Sequence, residues 1–265
     1  MRVMTFNLRM NTPNDGPNAW GHRLPIVQAT IRTLSPDIMG TQEALPSMLS
    51  DLGKVLPEYS WVGVPRREGD ESSAIFYNPA SYTLLTTDTF WLSESPTVEG
   101  SVSWDSSLPR ICTFAIFAGA SKPSSRFAVF NTHLDHKGPI ARQEGLRLIL
   151  ERMRSTQAEY GVDAMILMGD FNDHPASDVV RLAESTPILE DRPLVNSWRW
   201  MGLSGDGKTF HGFQGGRSGT PIDYIFATNT LPLTNVMISR EEADGRFPSD
   251  HYPVVADFAD PPNQS

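Results

Sequence analysis

Apolar side chains come in short runs along the chain, and the spacing within each run predicts the element. Residues 3–8 are apolar at both parities, the pattern of a short buried strand, and end in polar Asn7 and Arg9. Pro, Gly and Asn crowd residues 11–21 and predict a loop. Leu24, Ile26, Val27, Ile31 and Leu34 then recur at mixed helical steps, predicting a helix that stops before Pro36. Residues 37–42 read as a strand running into Glu43, and residues 45–56 as a second helix closed by Pro57.

From residue 59 onward the pattern changes. Residues 59–64, 73–77, 82–92 and 110–117 are β-branched and aromatic with turn residues between them, and 127–134 continues the series of strands. Residues 140–160 form the longest helical stretch, with Leu146, Ile149, Leu150 and Met153 on one side and charges on the other. The apolar strand 164–168 runs into Gly169-Asp170-Phe171-Asn172. A short helix is predicted over 176–183, then a long loop rich in Gly and aromatics over 196–221. Strands at 222–227, 232–239 and 254–258 complete the series. No internal repeat, low-complexity tract or linker divides the sequence, so a single domain over 1–265 is expected. Many strands with helices between them predict a layered α/β architecture, with sheets packed face to face and helices outside.

Composition narrows the partners. The 265 residues carry 22 Lys and Arg against 31 Asp and Glu, a net charge of −9. That balance disfavours nucleic acid, whose nonspecific affinity rests on Lys and Arg, but not a single phosphate. The lone cysteine, Cys112, excludes an internal disulfide framework and cysteine-rich zinc or iron–sulfur sites, and it reads as a small buried hydrophobe in a strand. No apolar run approaches the roughly 18 residues of a membrane span, and no signal segment is seen. A cytoplasmic protein without a membrane partner is expected, and no protein partner can be inferred.

Polar residues collect where the apolar strands end: Asn7, Glu43, Asn131-Thr132-His133, Asp170-Phe171-Asn172, Asp223 and Ser249-Asp250-His251. Strand ends in a layered sheet protein can converge on one rim, where ligands commonly bind. Carboxylates, amides and imidazoles together suit a hard divalent cation, Mg²⁺ or Mn²⁺, which prefers oxygen ligands and keeps several waters. A metal beside imidazoles equips a site to attack a phosphate ester with water. Singly, each residue has a plainer explanation. Asp170 and Asn172 could close a turn, Ser249 and Asp250 cap a loop, and His133 sit hydrogen-bonded in the core. Glu43 could complement a helix dipole, and Asp223 could pair with Arg217. No single turn or cap accounts for all of these strand ends together.

Met4-Thr5-Phe6-Asn7, Thr41-Gln42-Glu43, Asn131-Thr132-His133-Leu134, Gly169-Asp170-Phe171-Asn172, Ile222-Asp223-Tyr224-Ile225-Phe226 and Ser249-Asp250-His251 appear in this order. The set closely resembles the endonuclease/exonuclease/phosphatase superfamily, and the resemblance runs from Asn7 to His251. It implies a four-layer αββα sandwich, two mainly antiparallel sheets flanked by helices, with the site at one end of the sheets. It also implies hydrolysis of phosphate esters with Mg²⁺ or Mn²⁺. Carried over residue by residue, it makes Glu43 the principal metal ligand. Asn7 would hold Glu43 or touch the metal through water, and Asp250 would reach the metal directly or through water. Asp223 would fix the tautomer of His251, which faces the phosphate. Asp170 would orient or deprotonate the attacking water, Asn172 donate to a phosphoryl oxygen, and His133 make a second phosphate contact. Either Asp170 or His251 fits as general base.

The segment from Arg66 to Tyr77 resembles the superfamily's loop before a central strand, which puts Glu71 near the site. Residues 89–96, 108–110 and 209–213 resemble a branch of small family members, implying a sugar phosphate, nucleotide or other small mono- or diester as substrate. On that reading Arg110 grips a phosphate while Trp91 and Phe213 stack on a sugar or base. The alternative makes Trp91 core and Arg110 an ordinary ion pair. Competing functions on the same fold are a nuclease for abasic DNA or RNA 3′ ends, and a catalytically inactive binding protein. A lipid phosphodiesterase is more distant; its membrane contact would be a loop such as 197–205, with Trp198 and Trp200.

Overall fold

The computed structural model describes residues 1–120, 122–200, 202 and 206–259. The chain begins with β1 (Arg2–Asn7), α1 (Trp20–Leu34), β2 (Ile38–Gln42), α2 (Pro46–Val55), β3 (Ser60–Val62) and β4 (Ile75–Tyr77). It continues through β5 (Tyr82–Trp91), β6 (Ile111–Gly119), β7 (Lys122–His133), α3 (Pro139–Tyr160), β8 (Ala164–Asp170) and α4 (Asp178–Ser185). Short elements follow, β9 (Pro187–Leu189), β10 (Arg192–Pro193), β11 (Val195–Asn196) and α5 (Ser197–Trp200). The last strands are β12 (Asp223–Ala227), β13 (Leu233–Ile238) and β14 (Val254–Phe258).

These strands make two six-stranded sheets, ordered β13-β14-β1-β2-β4-β3 and β11-β12-β8-β7-β6-β5. Each has one parallel pair at its centre, β1 with β2 and β7 with β8, among antiparallel neighbours. Parallel neighbours need a crossover, which α1 and α3 supply. The carboxyl ends of these four strands lie at one rim, where Asn7, the last residue of β1, reaches both Glu43 after β2 and Asp170 at the end of β8.

Side-chain parity builds the layers. On β1, Val3 joins the core shared with β6, β7, β8 and α3, while Met4 and Phe6 pack with Val27 and Ile31 of α1 and Met48 and Leu52 of α2. Ile38 and Met39 of β2 divide the same way. α3 brings Leu146, Ile149, Leu150 and Met153 to the second sheet, and α4 adds Val179, Val180 and Ala183. The result is the expected helix–sheet–sheet–helix sandwich. Pro139 opens α3, and the free amides of Ile140 and Ala141 find the Asp105 carboxylate at 3.3 and 2.7 Å.

Asn131 is not a rim residue. Buried between the sheets, it donates to the carbonyls of Thr41 and Ala74, each at 2.9 Å, and accepts from Gln42 Nε2 at 2.7 Å. Gly40 faces it, and a Cβ there would lie 2.7 Å from Asn131 Oδ1. Cys112 is fully buried in β6. Three short elements fall where the sequence predicted nothing regular: the β9–β10 hairpin, β11 and α5. Among the described residues, no helix is long and apolar enough to cross a membrane.

Candidate active site

Asp170 is the hub of the rim. Gly169 before it has φ +147°, and a Cβ there would stand 2.0 Å from the Thr132 carbonyl oxygen, so glycine alone lets β8 run this close to β7. Asp170 Oδ1 accepts the Asn172 backbone N–H at 2.9 Å, and Oδ2 accepts from Asn7 Nδ2 at 3.0 Å. The same Oδ2 lies 3.6 Å from His133 Nε2 and 3.8 Å from His251 Nε2.

Asn7 is directed by its own turn. Its Oδ1 accepts the Arg9 backbone N–H at 2.9 Å, which points Nδ2 at Glu43 Oε1, 3.1 Å away, as well as at Asp170. Glu43 Oε2 accepts the Met10 N–H at 2.8 Å. Arg9, Glu43 and Asn172 have φ of 53°, 58° and 50°, left-handed values that cost free energy for residues with a side chain. Such strain persists where the surroundings over-determine it, and it clusters at functional sites.

Across the rim, His251 Nδ1 sits 2.9 Å from Asp223 Oδ2, so Asp223 is the partner of His251 rather than of Arg217. Burial works against charge on His251, but Asp223, Asp170 and Asp250 outweigh it and push its pKa up to about 10. Burial also raises Asp223 and Asp250, and each has a carboxylate neighbour that adds to the effect, Asp170 and Glu43 respectively. Ser249 Oγ donates to the Asn7 carbonyl at 2.6 Å and so ties the segment carrying Asp250 and His251 to the end of β1. Asp250 Oδ2 lies 3.9 Å from Arg9 Nε.

His133 lies between two carboxylates. Its Nδ1 is 3.3 Å from Glu71 Oε1, and Asn172 Nδ2 approaches its Nε2 at 3.0 Å. Burial alone would raise Glu71, but His133, Arg110 and Arg66 hold it down to about 2. Asn172 Nδ2 also meets the Leu134 carbonyl at 3.0 Å. The amide that the sequence expects to donate to a phosphoryl oxygen thus lies beside His133.

Three residues expected to bind substrate are buried or half-buried. Arg110 is buried and donates to Glu71 Oε1 at 3.2 Å and to Asp135 Oδ2 at 3.4 Å, so its guanidinium is committed to an internal ion-pair network. Trp91 is core, its indole N–H held by the Arg66 carbonyl at 2.7 Å. Phe213 is half-buried with the Arg23 guanidinium 5.6 Å from its ring. The exposed aromatic beside the site is Phe210, 47% accessible and 5.0 Å from the His251 ring. Thr209 Oγ1 accepts from the backbone of Ile222 and Asp223, and Phe210 bridges to His251, so this segment is pinned to both halves of the imidazole–carboxylate pair. Its signal was the run Thr209-Phe210-His211-Gly212-Phe213, from which the sequence singled out Phe213. Trp198 is also buried, its indole N–H on the Asp223 carbonyl at 2.9 Å, so it offers no membrane contact. Residues 201 and 203–205 of that loop lie outside the described residues.

The rim suits a cation. Asp170, Asp223 and His251 offer ligand atoms within 4.8 Å of one another, and all three are buried. Asp223 Oδ1 is buried and, among the described residues, meets no hydrogen-bond donor in good geometry. Glu43 and Asp250 add further carboxylates, and a hard divalent ion would relieve this excess of negative charge. This compact group differs from the set Glu43, Asn7 and Asp250 expected to touch the metal. Asn7 joins the two sets, because its amide bonds both Glu43 and Asp170.

A two-sheet α/β sandwich whose rim collects buried carboxylates, paired imidazoles and directed amides is built for hydrolytic chemistry. The sequence profile of the Endonuclease/Exonuclease/phosphatase family matches residues 4–251, and the chain belongs to that family, whose members are phosphoester hydrolases generally using divalent metals. An endonuclease/exonuclease/phosphatase from Bacteroides vulgatus is similar at 32% identity and a TM-score of 0.86, covering 97% of this chain and 98% of its own. A mannosyl-6-phosphatase from Bacteroides thetaiotaomicron is 29% identical with a TM-score of 0.85, covering 98% of this chain and 99% of its own. The human Nocturnin catalytic domain with bound sulfate shares the fold at 18% identity and a TM-score of 0.75, covering 98% of this chain and 93% of its own. No curated protein matches the sequence significantly.

Proposed function

We propose that the protein is a divalent-metal-dependent hydrolase of a small phosphate ester, of which a sugar phosphate is the best-supported class. The observation that carries the reading is the environment of Asp170 Oδ2, which has Asn7, His133 and His251 within 3.8 Å. Whole-length similarity to a mannosyl-6-phosphatase supports the substrate class. Phe210, exposed beside His251, supports it too, since an aromatic face can carry a sugar ring or a base.

In this reading Glu43 and Asp250 hold the cation, with Asp170, Asp223 and His251 the compact group beside it. A divalent ion bound there supplies Lewis acidity and lowers the pKa of water. Asp170 orients the water and takes its proton. His251, its Nδ1 held by Asp223, presents Nε2 to the phosphoryl oxygens. His133 and Asn172, in contact through Nε2 and Nδ2, border the phosphate together, with Glu71 behind the imidazole. Arg110 takes no direct part.

Turnover of mannose 6-phosphate, bis(p-nitrophenyl) phosphate, an abasic duplex and poly(A) tests the reading, each with Mg²⁺ or Mn²⁺ and with EDTA. The expected outcome is hydrolysis of a small ester, abolished by EDTA and restored by either metal. Turnover confined to the abasic duplex or poly(A) would replace this reading with a nuclease. Absence of both metal affinity and turnover would favour a binding protein on the same fold.

A further inference from the structure

Arg23 of α1 is 1% exposed. Among the described residues all its hydrogen bonds go to main-chain carbonyls: Nε to Asn18 at 2.6 Å, Nη1 to Leu8 at 2.6 Å and to Pro248 at 2.8 Å, and Nη2 to Arg9 at 2.8 Å. The guanidinium also lies over the rings of Trp20 and Phe213, 5.5 and 5.6 Å from their centroids. Burial pulls its pKa down to about 10, so the charge persists at neutral pH. A charge buried this deeply, with carbonyls as its hydrogen-bond partners, is weakly explained by stability, because apolar packing of the same volume often serves as well.

Two of those carbonyls belong to successive peptide groups. The Leu8–Arg9 group gives its C=O to Arg23 and its N–H to Asn7 Oδ1 at 2.9 Å. The Arg9–Met10 group gives its C=O to Arg23 and its N–H to Glu43 Oε2 at 2.8 Å. The turn that permits this holds Arg9 at φ 53°. Hydrogen bonding at a carbonyl polarises the amide and strengthens what its N–H donates. The Pro248 carbonyl ties in the segment immediately before Ser249-Asp250-His251.

We infer that Arg23 is a positioning residue of the site, acting through these two peptide groups to aim the Asn7 amide and the Glu43 carboxylate. With Asn7 Oδ1 committed to Arg9, its Nδ2 has to face Glu43 and Asp170. The inference rests on the proposed metal-dependent hydrolase for what this aim serves, not for the linkage itself.

Arg23→Lys keeps a charge but loses the planar fork. By NMR of isotope-labelled protein, the Asn7 carboxamide and the Met10 amide should exchange about ten-fold faster or more, while amides in the middle of β7 stay unchanged. The Kd for Mn²⁺ should rise roughly ten-fold. In an Asn7→Ala background the same substitution should raise that Kd clearly less than ten-fold, because only the route through Met10 to Glu43 is left to lose. Wild-type exchange at Asn7 and Met10 in Arg23→Lys, or additive effects on Mn²⁺ binding, would overturn the inference. Should Arg23→Lys fail to fold, Phe213→Leu removes only the ring over the guanidinium. It should loosen the same two amides to a smaller extent, and no change there counts against the inference. A wild-type protein that neither binds Mn²⁺ nor hydrolyses an ester sinks the proposed function, while the amide exchange still decides the role of Arg23.

Discussion

At Glu71, burial and charge pull in opposite directions, and the charges win. Its pKa falls from an ordinary 4.5 to about 2 under His133, Arg110 and Arg66. A carboxylate lowered in this way contributes stability that is complete above pH 4.5 and drains away as the pH falls toward 2. Glu71→Gln should cost about 3 kcal/mol at neutral pH, because it strands buried guanidinium charge. It should also flatten the acid loss of stability across that window, which urea unfolding at neutral pH and at about pH 3 will show. Asp170→Ala, Glu43→Ala and His251→Ala should each lower turnover roughly 100- to 10,000-fold with folding retained, checked by steady-state kinetics beside circular dichroism. A wild-type rate for any of them removes its assigned role. Individual rim residues were legible because carboxylates, amides and imidazoles stand out at the ends of apolar runs. Arg23 was not, since an arginine inside a helical stretch reads as a solvated face until the fold closes over it.

Among the elements, the long strands and helices announced themselves through periodicity and turn residues. The strand predicted at 127–134 begins earlier, at Lys122, because Lys122-Pro123-Ser124-Ser125 looks like loop and is carried into β7 by pairing with β6. Pro187–Leu189 and Arg192–Pro193 are too short to leave a pattern. The polar contacts between β2 and β7 were also invisible, since Asn131 looked like part of the rim and Gly40 like a generic strand glycine. Gly40→Ala tests them. Its Cβ would press on an Asn131 side chain held by three hydrogen bonds and on Met168, and should destabilise the fold by about 1–3 kcal/mol in urea titrations. An unchanged midpoint would mean that the sheets yield more readily than this geometry implies.

For the whole molecule, strand content alone predicted layers, but the assignment of strands to two sheets came from the ordered motifs and not from periodicity. The ordered motifs already implied one site at one end of the sheets; that β1, β2, β7 and β8 end together there came from the strand pairing. Cys112 reports on the whole fold. Being fully buried in β6, its thiol should react with an aromatic disulfide reagent only at the rate of global unfolding; rapid labelling of the native protein would reveal a local opening of that sheet.

The strand order has a consequence for the protein's birth. The sheet containing β5 to β8, β11 and β12 is drawn from one continuous stretch of chain, whereas the first sheet is begun by β1 to β4 and finished only by β13 and β14. Because synthesis is vectorial and domains begin folding N-terminus first, Asn7, Glu43, His133 and Asp170 leave the ribosome before the imidazole that Asp170 approaches. The candidate site therefore stays incomplete until His251 emerges to meet Asp223 and β14 slots between β1 and β13.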